Sequence, residues 1–199
     1  MKFHLGSLPE YDNFEPSDQW RAFEDNETSI WQWQIKALPV AVLNIVIILA
    51  VWAAITPVWE VFKGISFPLP IVEALSCLFG VLLMHELIHG AIHPGAGFSS
   101  RTIVGFWPSR MLLYVTYSGE MNRNRYLAVL AAPLLVICLV PILVSVVLQV
   151  QSFWLVYITI LNALLASGDI LAIHAIRKLP AGAVIRNKGC HAYWRLADD

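Results

Sequence analysis

Met84-His85-Glu86-Leu87-Ile88-His89-Gly90 is the stretch from which this chain is best read. It sets His-Glu-x-x-His inside a long apolar run. On a helix, residues four apart project from one face, so His85 and His89 can turn imidazole nitrogens toward one cation while Glu86 stands beside them. That combination is a zinc site with a built-in base. Short motifs also arise by chance, and the setting decides between the two readings. Two histidines and a glutamate near the end of a membrane-spanning helix are costly to bury, and ionisable groups at such depth are usually functional.

The composition predicts that membrane. Of 199 residues, 58% are hydrophobic and 14% charged, far more apolar than ordinary soluble usage. A formal net charge of −1, with no basic run, gives no case for nucleic acid as a partner. Cys77, Cys138 and Cys190 have no paired spacing, so neither a disulfide framework nor a cysteine zinc site is expected. The acidic, polar N-terminus lacks the basic start and early apolar stretch of a cleaved signal peptide, and the first span is expected to act as its own insertion signal.

Residues 1–36 form an acidic segment with seven carboxylates, ending in Ile30-Trp31-Gln32-Trp33-Gln34-Ile35. Its alternation admits a short strand, but tryptophans just before a span suit the headgroup layer, and the interfacial reading is preferred. From Ala37 to Trp59 no charge occurs, enough for a first span; Lys63-Gly64 marks a turn, and a second span runs from about Pro70 to His93. Glu73, in its first turn, is read as an interfacial acid. Pro94-Gly95-Ala96-Gly97 ends that helix. Thr102–Phe106 and Met111–Tyr117, separated by Trp107-Pro108-Ser109-Arg110, then read as a hairpin. From Tyr126 to Gly168 the chain is again uncharged, about twice what one span needs, and Gln149, Gln151 and Ser152 divide it into spans near 127–149 and 153–176. Residues 177–199 are a basic tail. The expected fold is therefore an all-α membrane protein of about four transmembrane helices (37–176) with a β-hairpin-like cytoplasmic loop.

Four spans bring the N-terminus, the 94–125 loop and the tail to one side. That side holds 12 of the 13 Lys and Arg residues, with Lys63 alone opposite. The bias predicts a multi-pass protein with both termini cytoplasmic and the zinc motif toward the cytoplasmic end of the second span.

A catalytic zinc usually takes three protein ligands and a water. Asp169 is the leading third ligand, the only charge inside the last apolar run. At 1.5 Å per residue it lies about 24 Å into its span from the outer side, and His85 about 22 Å into the second. His93 shares a face with His89, but three ligands in series on one straight helix spread over about 12 Å, too far to converge. Glu120 and His174 have solvated alternatives, and His4, His191 and Cys190 read as surface residues.

These residues together resemble the site-2 protease class of intramembrane zinc metalloproteases, and more closely a short multi-pass family of zincin peptidases. The resemblance rests on His85-Glu86-Leu87-Ile88-His89-Gly90, the hairpin-like loop, Ala131-Ala132-Pro133, and Asn162 with Gly168-Asp169. It implies His85, His89 and Asp169 as zinc ligands and Glu86 as the catalytic carboxylate. It departs from the class where glycine precedes Asp169 rather than following it, and in lacking room for a PDZ-type substrate domain. The expectation is a membrane-embedded zinc endopeptidase acting on peptide or transmembrane protein substrates near the cytoplasmic face. A non-hydrolytic zinc-binding membrane scaffold is the alternative. A transporter is disfavoured, since four spans show no internal repeat.

Overall fold

The computed structural model describes residues 1–10, 14–23, 30–57, 61 and 71–197. Its helices are α1 (Ile30–Ile55), α2 (Ile71–Ile92), α3 (Arg123–Leu148), α4 (Phe153–Leu165) and α5 (Ser167–Ile176). Three of them are long and apolar enough to cross a membrane. The pair α4 and α5, bent by 44° at Ala166, makes a fourth span if counted as one. The Lys63-Gly64 turn falls outside the described residues. Ile30–Ile35 is the opening of α1, so the strand alternative for that stretch does not hold.

Helix α1 packs along α4 and α5, while α2 packs along α3 and α4. Between α1 and α4 the buried indole of Trp52 donates to Thr159 Oγ1 at 2.9 Å, and Asn44 Nδ2 donates to the carbonyl of Ala163 at 3.2 Å. A polar side chain inside an apolar bundle must find such a partner, and these bonds fix how the two helices face each other. Ile48, Trp52, Cys138, Val156 and Ala163 close the core around them.

The all-α expectation fails, because two sheets stand at one end of the helices. The first has the order β1-β3-β4, with β1 (Lys2–Leu5) parallel to β3 (Thr102–Trp107) and β3 antiparallel to β4 (Leu112–Tyr117). The second has the order β2-β7-β6-β5, built from β2 (Arg21–Ala22), β5 (Met121–Asn122), β6 (Ala183–Lys188) and β7 (His191–Leu196). The hairpin in the 94–125 loop is present where its sequence places it. The basic tail, in contrast, is a second hairpin. Ala183 and Ile185 are fully buried, and Gly189, with φ +57°, opens the two-residue turn that pairs Lys188 with His191. The N-terminal segment, the 94–125 loop and the tail, all assigned by charge to one side, are thus hydrogen-bonded to one another.

Candidate metal centre

The buried positions of α2 are Val81, His85, His89 and Gly90, a stripe recurring every fourth residue that turns both imidazoles into the bundle. Each ring is pinned from behind. His85 Nδ1 lies 2.9 Å from Asn162 Oδ1, and the amide is oriented by donation from its Nδ2 to the carbonyl of Pro133 at 3.1 Å. His89 Nδ1 lies 2.8 Å from the carbonyl of Val129. Both partners are acceptors only, so both Nδ1 atoms carry hydrogen, and each ring in its neutral form turns an Nε2 lone pair inward.

Those lone pairs meet the carboxylate of Asp169. His85 Nε2 is 3.1 Å and His89 Nε2 3.5 Å from Asp169 Oδ2, and the two Nε2 atoms are 3.2 Å apart. Three electron-rich atoms at such separations repel one another unless a proton or a metal cation lies among them. Donor atoms 2.0–2.1 Å from a tetrahedral zinc stand about 3.3 Å from each other, which is the spacing found. The donor set therefore fits zinc, and His85, His89 and Asp169 can hold a metal ion together.

Two arginines brace the helices that carry these donors. In the first turn of α3, Arg125 Nε donates to the carbonyl of Ile92 at 3.0 Å, closing the end of α2. Arg123 reaches the carbonyls of Ile176 and Arg177 at 3.4 and 2.7 Å, closing α5. Cations at helix C-termini satisfy carbonyls that have no partner within the helix. The same α3 is capped by Asn122, whose Oδ1 accepts the N–H of Arg125 at 2.8 Å.

Glu86 opens on the same cavity of about 260 Å³ as the three donors. Its Oε2 accepts the backbone N–H of Val115 at 2.8 Å. Strand β4 is the last of its sheet, and along an antiparallel pair alternate residues turn their N–H and C=O outward. Val115 is one of these, so the base sits against a strand edge that no further strand among the described residues pairs.

A family model described as "Putative zincin peptidase" matches residues 78–184, just over half of the chain and a span that includes all four side chains. The chain belongs to that family. No curated protein and no solved structure matches it. In this zincin-family chain the rival ligands stand apart from the donor cluster. His93 lines the cavity but is not among the converging donors, and its buried Nδ1 has no hydrogen-bond partner. It lies just past α2, where burial, and then His89 and Arg125, push its pKa down to about 4. Glu120 pairs with Arg195 at 3.0 Å, and His174, His191 and Cys190 are exposed. Sequence reasoning missed the roles of Val129, Arg123 and Arg125. Only Pro133, four residues past Val129 in an apolar run, carried a signal for the first of them.

Proposed function

We propose that this protein is a membrane-embedded zinc endopeptidase that hydrolyses peptide bonds of membrane-associated substrates near the cytoplasmic face. The observation that carries the reading is the convergence of two lone-pair Nε2 atoms and the Asp169 carboxylate, with Glu86 in the same cavity. Zinc, when bound, supplies Lewis acidity, acidifying water and polarising the substrate carbonyl. His85, His89 and Asp169 would hold it. Glu86 takes a proton from the attacking water and returns it to the leaving amine. Its Oε2 can keep the Val115 N–H while Oε1 accepts from the water.

The open edge of β4 supplies the positioning. A peptide segment unwound from a helix adds to such an edge through main-chain hydrogen bonds, which align its backbone irrespective of sequence. The basic-residue bias orients the sheets toward the cytoplasm, so both termini and the mouth of the site lie there.

The test is metal analysis of the purified chain followed by incubation with a membrane substrate. About one zinc per chain and cleavage are expected. Glu86→Gln should keep the zinc and lose roughly 10²–10⁴-fold in rate, the usual cost of losing positioned proton transfer. Cleavage by that variant at the wild-type rate would refute the mechanism. Zinc retained without hydrolysis of any substrate would leave the scaffold reading in its place.

A further inference from the structure

A second cavity, of about 390 Å³, adjoins the metal cavity, and Val115, Thr116, Tyr126 and Asn187 belong to the walls of both. The hydroxyl of Tyr126 donates to Asn187 Oδ1 at 3.1 Å, so a single hydrogen-bonded pair stands in the partition. The remaining lining is mainly apolar, with Phe23 and Trp33 from the N-terminal side, Leu112 from β4, and Ala172, Ala175 and Ile176 from α5. Its size falls within the roughly 300–1,000 Å³ of pockets that hold ligands.

Two elements fix where this cavity lies relative to the chemistry. Ala172 and Ile176 follow Asp169 by three and seven residues, so they continue the face of α5 that carries the carboxylate, roughly 4.5 to 10 Å farther along the axis. On β4 the wall runs from Thr116, shared with the metal cavity, back to Leu112 on the same face of the strand, about 13 Å away. A strand laid on the β4 edge advances about 3.3 Å per residue and sends alternate side chains to each face. Side chains one to three residues from the bond at the metal therefore reach this cavity, on the side toward Leu112.

We infer that the second cavity is the specificity pocket of the peptidase, selecting substrates with a large apolar side chain, aromatic or branched, one to three residues from the cleaved bond. The inference rests on the peptidase reading and adds the substrate class. The alanines at 172 and 175 are what leave the space, and no charged side chain of α5 or β4 enters it. An alanine in the substrate would leave the apolar walls uncovered. A charged side chain would exchange water for these walls, where only Thr116, Tyr126, Asn187, Cys190 and His191 are polar and none carries a fixed charge.

The experiment uses the full chain, zinc-loaded, in liposomes, with peptides in which phenylalanine or alanine is placed at each of three positions on either side of the bond. At one position kcat/KM should favour phenylalanine by about tenfold or more, the usual worth of filling an apolar pocket. Ala175→Phe should bring that ratio close to one, and Leu112→Ala should shift it toward still bulkier residues. An unchanged ratio in both variants overturns the pocket and leaves the peptidase standing. A photoreactive phenylalanine at the same positions gives a readout that needs no turnover. Adducts on Leu112 or on residues 172–176 support the pocket even if nothing is cleaved, which would count against the peptidase instead. Adducts confined to lipid or to other residues assign the cavity to an acyl chain and overturn the inference.

Discussion

His89 is held in place by an omission at Pro133. In an unbroken helix the N–H of residue 133 would bond to the carbonyl of Val129, four residues earlier, but proline has no N–H. That carbonyl is free, and His89 Nδ1 donates to it at 2.8 Å.

Pro133→Ala restores the competing donor and removes only two ring carbons of a buried side chain. It should leave the chain folded yet weaken zinc binding by about 10–100-fold, the usual cost of losing a histidine's outer partner. Competition against a chromophoric chelator measures this. An unchanged affinity would mean that Val129 does not orient His89.

Asn162 serves His85 in the same way but also donates to the Pro133 carbonyl and, at 3.4 Å, to Cys138 Sγ. Asn162→Ala strands both the imidazole Nδ1–H and the Pro133 carbonyl in the bundle. It should cost about 1–3 kcal/mol of stability in addition to zinc affinity. Thermal unfolding with and without chelator separates the two. Loss of stability with affinity intact would make Asn162 a packing residue only.

The ligand set makes a contrast between two residues on the same cavity. Asp169→Ala should lower bound zinc as His85→Ala does, and His93→Ala should leave it nearly intact. Elemental analysis of the three purified variants decides. Zinc retained without Asp169 and lost without His93 would reverse the assignment.

His93 also predicts an acid limb in stability. Its folded pKa, about 4, lies below the unfolded value near 6.5, so the unfolded chain takes up a proton first. The stability His93 contributes is whole above pH 6.5 and declines as the pH falls toward 4, by roughly 3 kcal/mol in total. His93→Gln should flatten that part of a melting-temperature profile. The same slope in the variant would place its origin elsewhere.

Gly97 should tolerate no side chain. Its φ is +79°, and a Cβ there would stand 2.7 Å from the carbonyl oxygen of Gly90, a backbone atom that cannot swing aside. Gly97→Ala should destabilise by about 1–2 kcal/mol from the left-handed backbone alone, with the clash added. A melting temperature at or above that of the parent would contradict this.

How much of this was legible beforehand depended on the range of each signal. The hairpin at 102–117 could be read because its turn residues and β-prone runs are neighbours in sequence. The convergence of His85, His89 and Asp169 followed from helical period and depth, both of which survive without a structure. The sheets were harder. In the tail, apolar Val184 and polar Asn187 break the alternation set by Ala183 and Ile185, so its charge was more visible than its period. Strand β1 pairs with β3 across some hundred residues, and no local propensity encodes that partner. The bend at Ala166 lies inside an apolar run that reads as one straight helix. The partner of His89 was hidden because a freed backbone carbonyl has no letter of its own, only the proline four residues on.

The wide separation of the donors along the chain also bears on assembly. His85 and His89 enter with α2, but Asp169 enters with α5, the last of the described helices, after α3 and α4 have been placed. A nascent chain inserting from its N-terminus holds at most two of the three donors for most of its synthesis. Two histidines alone bind zinc less tightly than the full set, so metal capture belongs to the final stage of insertion. On the peptidase function proposed above, hydrolytic capacity arises only once α5 has joined α2.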